Sequence, residues 1–61
     1  MEKLKFLFED WNNARDYYMQ YAMKATYGDI RDRVYNIELA MIWSKIILNI
    51  REKIVLANQN L

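Results

Sequence analysis

Residues 37–56, with the sequence IELAMIWSKIILNIREKIVL, form the most apolar window of this 61-residue chain. At about 100° per residue, the pitch of an α-helix, the apolar side chains in and just before this window separate into two stripes. The narrow stripe has near-heptad spacing and contains Ile30, Val34, Ile37, Met41, Leu48 and Val55. The wide stripe contains Leu39, Trp43, Ile46, Ile47, Ile50 and Ile54. A surface helix normally buries one stripe, so two stripes predict two packing partners for this helix.

The N-terminal part of the chain, about residues 2–26, also has the pattern of an amphipathic helix. Apolar residues recur at intervals of three and four from Leu4 to Ala25, and polar residues occupy the opposite face. Asn13, with Asp16 three residues later, is a loose variant of a helix-capping pattern. A three-helix bundle with a break near Asn12-Asn13 is therefore the alternative. The apolar stripe keeps its phase across these residues, which favours one continuous helix.

The sequence Tyr27-Gly28-Asp29 separates the two helical patterns. Gly28 is the only glycine, and we expect it to end the first helix in the left-handed conformation. Asp29 is a natural N-cap for the second helix. So short a connection predicts antiparallel neighbours. The predicted fold class is all-α, an antiparallel two-helix hairpin with helices over about 2–26 and 30–57, forming a single domain over 1–61.

Folding this hairpin about Gly28 predicts how the two helices meet. The resulting register brings Trp11 near Ser44 and Arg15 near Glu38, and it packs the narrow stripe against the first helix. The wide stripe then remains open as the predicted dimer or partner interface, formed by Leu39, Trp43, Ile46, Ile47, Ile50 and Ile54. So large an apolar surface is unusual on a monomer. Two hairpins joined through it would form an antiparallel four-helix bundle.

The composition argues against most catalytic chemistry. The chain has no cysteine and no histidine, which excludes disulfides and the usual zinc sites, and we expect no metal or other cofactor. Its one serine, Ser44, has no histidine to activate it, and one glycine cannot form a glycine-rich phosphate loop. We therefore assign no catalytic residue and expect that the protein is not an enzyme.

The apolar content favours binding to other proteins. Hydrophobic residues make up 54% of the chain and aromatic residues 15%, which is high for a chain too short to bury a large core alone. We expect a small interaction protein, an adaptor, inhibitor or regulator, that acts as a homodimer. Phe6 and Tyr17 border the apolar stripe of the first helix near Tyr21, and these three residues are candidates for contact with another protein. A short chain of this kind also suits a regulatory product of a phage or other mobile element.

Nucleic-acid binding is the alternative function. Basic and aromatic residues gather loosely toward the predicted loop, namely Arg15, Lys24, Tyr27, Arg31 and Arg33. Asp29 and Asp32 lie among them, however, and the formal net charge is only +1. The electrostatic attraction for a phosphate backbone is therefore weak.

Membrane association is the least favoured binding mode. Residues 37–56 are long enough to span a bilayer but carry five charged side chains. Each charge near the bilayer centre costs about 2.5–3.5 kcal/mol on insertion scales. The N-terminus lacks the long apolar core of a signal peptide. We expect a cytoplasmic protein, and the lack of cysteine agrees with a reducing compartment.

Overall fold

The computed structural model describes residues 2–59, which are almost entirely helical. Helix α1 spans Glu2–Tyr27, a 3₁₀ turn spans Ile30–Asp32, and helix α2 spans Arg33–Gln59. The two long helices pack against each other as a hairpin, so the predicted all-α hairpin is confirmed. Helix α1 runs unbroken through Asn12-Asn13, and the three-helix alternative is therefore wrong. The predicted domain, 1–61, extends beyond the described residues at both ends.

Gly28 ends α1, but in a different way from the one predicted. No described residue has a positive φ angle, so the expected left-handed conformation is wrong. The N–H of Gly28 donates to the carbonyl of Lys24 at 2.8 Å, and a Cβ on residue 28 would collide with that carbonyl oxygen. Glycine is therefore needed for a close backbone approach rather than for its left-handed range.

Asp29 caps the segment that follows, as predicted. Its Oδ1 accepts a hydrogen bond from the N–H of Arg31 at 2.9 Å, and its carbonyl accepts one from the N–H of Asp32 at 3.0 Å. The cap begins the 3₁₀ turn, however, and α2 itself begins only at Arg33. The turn therefore moves the centre of the hairpin from Gly28 to about residue 30.

Tyr17 of α1 and Trp43 of α2 show the register of the hairpin. Their rings stack with centroids 4.8 Å apart and planes inclined by 16°, and each residue lies thirteen positions from residue 30. The register predicted about Gly28, with Trp11 beside Ser44, is therefore wrong by about one helical turn. Arg15 does not pair with Glu38, because its guanidinium lies 5.3 Å from the centre of the Trp11 ring and 3.9 Å from Asp16.

The structure partly buries the wide stripe of α2, which was predicted to be open, and exposes the narrow stripe, which was predicted to pack against α1. The wide stripe is partly buried in the hairpin along its whole length, at Leu39, Trp43, Ile46, Ile47, Ile50 and Ile54. The narrow stripe is exposed along its whole length, at Ile30, Val34, Ile37, Met41, Leu48 and Val55. The prediction that the wide stripe stays open is therefore wrong. Burying the wider stripe removes more apolar surface from water, which favours this arrangement.

Small residues allow the two helices to approach closely. Ala14 is 2% exposed and Ala40 is 8% exposed, and they are the buried apolar residues of the described part of the chain. Asn36 is also buried, at 7% exposure, and the sequence patterns did not single it out. The Cα atoms extend over 47 × 14 × 11 Å, so the hairpin is one layer thick. One layer cannot surround a large side chain, and none in the described range is fully buried.

Candidate functional site

The exposed narrow stripe is the main candidate for a functional surface. Met41, Leu48 and Val55 recur every seven residues on α2, and Ser44 and Arg51 occupy the intervening heptad positions. Leu48, near the middle of the line, is 57% exposed. An apolar line with this spacing is the pattern by which one helix packs lengthwise against another. The narrow stripe is therefore suited to hold a second helix.

A line of charged residues borders the narrow stripe on the side away from α1. Arg31, Glu38, Lys45 and Glu52 follow one another at seven-residue intervals, alternate in sign and are all exposed. Flanking positions of this kind form the salt bridges between paired helices in coiled coils. The seven-residue spacing of this charged line is visible in the sequence only once the narrow stripe is recognised as the open one.

Two shallow depressions adjoin the narrow stripe. One lies on the C-terminal half of α2 and is lined by Leu48, Arg51, Glu52, Val55, Leu56 and Gln59. The other lies in the groove between the helices and is lined by Tyr18, Ala22, Ala25, Ile37, Ala40, Met41 and Ser44. The Ser44 hydroxyl donates to the Met41 carbonyl at 2.6 Å. An apolar partner can therefore cover this serine without leaving its hydroxyl unpaired.

The structure does not gather the three aromatic residues predicted to contact a partner into one patch. Tyr17 stacks on Trp43 and remains half-exposed. Tyr21 is partly buried, and the Nζ of Lys24 lies 5.4 Å from the centre of its ring. Phe6 is well exposed and lies three helical turns before Tyr17 on the same side of α1. Partner contact by these residues stays a prediction.

Of the five residues predicted to contact nucleic acid, four lie near the loop end of the hairpin and Arg15 lies apart. Arg15 lies twelve residues before Tyr27, about 18 Å away along α1 by the helical rise. Lys24, Tyr27, Arg31 and Arg33 lie near the loop end, and the Tyr27 side chain is 82% exposed.

The charge of Arg31 is offset by Asp29 at the loop end. The guanidinium of Arg31 lies 2.9 Å from a carboxylate oxygen of Asp29. Hydrogen bonds from the Arg31 side chain and backbone hold the pKa of Asp29 below its ordinary value of 3.8. Asp29 therefore remains ionised at neutral pH, which weakens the local attraction for phosphate. Nucleic-acid binding stays a prediction.

The described residues include neither a candidate metal centre nor a candidate membrane span. No group of three or more acidic, histidine or cysteine side chains in residues 2–59 is placed to hold a metal ion. Over the same range, neither helix combines the length and the apolar character needed to cross a bilayer.

Comparison with known proteins provides no relative from which to transfer a function. The chain matches no protein-family model, no curated protein and no solved structure. The functional interpretation therefore depends on the surface of the hairpin itself.

Proposed function

We propose that this chain is a small non-enzymatic protein-interaction module, an adaptor, inhibitor or regulator, that acts as a homodimeric helical bundle joined along the narrow stripe. The exposure of six large apolar side chains in one line along the second helical segment carries the proposal. Monomers rarely expose so continuous an apolar surface. Each such side chain contributes roughly 1.5–3 kcal/mol when fully buried, so covering the line provides a large driving force for association.

The large accessible surface area of the hairpin supports a second copy of the chain as the partner that covers the narrow stripe. The chain exposes 5094 Å². A compact monomer of 7.5 kDa would expose about 4,250 Å². The excess of about 800 Å² equals the area that each partner buries in an interface of standard size. The radius of gyration is also larger than that of a compact chain of this length, at 14.1 Å compared with about 10.5 Å.

The available side chains support binding rather than catalysis. The sequence has no histidine or cysteine, and the hydroxyl of its one serine, Ser44, donates to a backbone carbonyl. The described acidic residues are all exposed on the hairpin surface where their burial is known, and they form no cluster of metal-binding type. An interaction role requires none of these groups to react.

A dimer joined along the narrow stripe would leave other surfaces free for a different protein. Phe6 is exposed on α1, and the half-exposed Tyr17 lies on the same side of that helix. Aromatic side chains of this kind provide large contact areas in protein interfaces. We propose this side of α1 as the surface that meets the regulated protein.

Sedimentation equilibrium at micromolar concentration tests the self-association. We expect a mass of about twice the 7.5 kDa of one chain. A well-folded monomer at these concentrations would contradict the homodimer.

Binding of a different protein through α1 is tested by capture of proteins from extracts of the native host, with identification by mass spectrometry. The wild-type chain and a Phe6→Ala variant are compared as baits. A purified candidate should then bind the wild type at least several-fold more tightly than the variant. Equal affinities would exclude Phe6 from the binding surface.

A further inference from the structure

We infer that the second copy lies antiparallel along α2, so that Ile37 faces Leu48 of the partner subunit and Met41 faces Ser44 of the partner subunit. The inference rests on the proposed homodimer and adds its geometry. Its basis is the heptad line of α2, which is exposed except at the partly buried Ser44 and continues without a break through a single α-helix from Arg33 to Gln59. Because the helix is continuous, the heptad spacing in sequence is also a straight line in space.

The heptad line consists of two series of different character. One series is apolar throughout and contains Val34, Met41, Leu48 and Val55. The other begins apolar and becomes polar, with Ile37, Ser44 and Arg51 on α2. In a parallel pair each series meets its own copy, and in an antiparallel pair each series meets the other.

Arg51 distinguishes the two arrangements. A parallel pair would place two Arg51 guanidinium groups against each other in the contact line between the two α2 helices (the seam), where like charges repel. In the antiparallel register Arg51 instead meets Val34 of the partner subunit, and its aliphatic stem can cover that side chain while its charged end reaches water. The two Arg51 residues are then separated by about 25 Å along the seam.

The flanking charges favour the same antiparallel register. In an antiparallel pair, residues at the same flanking position of the seven-residue repeat face each other across the seam. Glu38 therefore lies opposite Lys45 of the partner subunit. The two-fold axis repeats this pair, so two opposite-charge pairs border one side of the interface. Arg31 is not counted, because it lies in the 3₁₀ turn and already pairs with Asp29 at 2.9 Å.

Of these charges, a parallel pair would use only Glu38, opposite Arg33 of the partner subunit. Their line would face the opposite border of the heptad line, which consists of Arg33, Ala40, Ile47 and Ile54. That border has no acidic residue, and Ala40, Ile47 and Ile54 are already buried or partly buried in the hairpin. Glu38 and Lys45 are also seven residues apart, about 10 Å along α2, too far to pair within one chain.

Single-cysteine variants test the direction of the α2 pair. The chain has no cysteine of its own, so Ile37→Cys and Leu48→Cys each introduce one thiol at an exposed position. The two variants are oxidised separately and as an equal mixture, and dimer bands are compared on non-reducing gels. A disulfide requires Cα atoms within about 7 Å. Sedimentation equilibrium of the reduced variants first identifies a protein concentration at which both are dimeric.

We expect a cross-linked dimer in the mixture and little in either variant alone, with peptide mass spectrometry locating the bond between positions 37 and 48. Cross-linking of Leu48→Cys with itself would show a parallel pair and overturn the inference. A dimeric mass without cross-linking in any sample would also overturn it, while leaving the proposed homodimer intact. A monomeric wild-type chain would contradict the homodimer and the antiparallel pair together.

Discussion

Tyr17 and Trp43 stack almost parallel across the hairpin, with ring centroids 4.8 Å apart. This contact joins the middle of α1 to the wide stripe of α2 and shows which stripe closes the hairpin. The narrow stripe is consequently left on the surface, with Leu48 57% exposed. The exposure of the narrow stripe is therefore a consequence of how the two helices pack.

Replacement of Trp43 by alanine should lower the free energy of unfolding by about 2–4 kcal/mol. Removal of a large aromatic side chain from a full core costs about 3–5 kcal/mol, and the Trp43 ring is only partly buried. The measurement is urea unfolding followed by circular dichroism, at one protein concentration because dimerisation would add to the apparent stability. Ile42→Ala, at a 52% exposed position, is the control and should change stability by less than about 0.5 kcal/mol. Equal effects of the two variants would contradict the observed register.

Gly28→Ala should destabilise the protein by more than about 1 kcal/mol, since the native backbone cannot accept the added methyl group. The new Cβ would collide with the carbonyl oxygen of Lys24, a backbone atom that cannot move independently. At an unconstrained position the same change usually stabilises a protein by about 0.4–1 kcal/mol, so the sign of the effect is diagnostic. Thermal unfolding of both proteins measures it, and a higher melting temperature for the variant would disagree with the turn geometry.

Asp29 should contribute to a loss of stability in acid. Hydrogen bonds from Arg31 lower the pKa of Asp29 below 3.8. The ionised group therefore stabilises the turn fully above that ordinary value, and this contribution disappears as the pH falls through the lower folded-state pKa. Asn also caps helices well but does not titrate. The unfolding free energy of Asp29→Asn should therefore fall less than that of the wild type as the pH is lowered below about 4. Parallel curves for the two proteins would remove Asp29 from the acid response.

Exchange of charges between Glu38 and Lys45 should produce a preferred heterodimer. Glu38→Lys alone places two lysines opposite each other in the antiparallel pair, and Lys45→Glu alone places two glutamates there. Mixing the two variants restores an opposite-charge pair at both symmetric positions. At about 0.2–1 kcal/mol for each of the two exposed pairs, the heterodimer should form roughly twofold to thirtyfold more tightly than either homodimer.

A mixture of Glu9→Lys and Lys53→Glu is the control for this exchange, since it changes net charge equally at exposed positions outside the narrow stripe. Fluorescence energy transfer between labelled chains measures both mixtures. The same preference in the control mixture would show that net charge, rather than paired positions, is responsible.

The sequence was sufficient to predict the two helices and their junction, because these depend on local signals. The period of the apolar residues extends across Asn12-Asn13, and Gly28 and Asp29 stop one helix and cap the next segment. The register was not predictable in the same way. The turn Ile30–Asp32 has residues that also suit the first turn of an α-helix, and its 3₁₀ geometry shifts the pairing by about one turn.

The stripe of α2 predicted to stay open is the one that the structure partly buries. The two stripes of α2 are both apolar, and the register of α1 decides between them. The greater width of the stripe containing Trp43 and Ile47 could have indicated burial, because it offers more apolar area to a neighbouring helix. The burial of Asn36 depends on its position opposite the C-terminal part of α1 and has no local signal.

The most direct test of the narrow stripe as the self-association surface is the solution mass of Leu48→Glu beside that of Ile42→Glu. The two positions are similarly exposed, at 57% and 52%, but only Leu48 belongs to the narrow stripe. At a concentration where the wild type is dimeric by sedimentation equilibrium, Leu48→Glu should have the 7.5 kDa mass of one chain and Ile42→Glu twice that mass. A Leu48→Glu variant that remains dimeric with wild-type affinity would contradict the account.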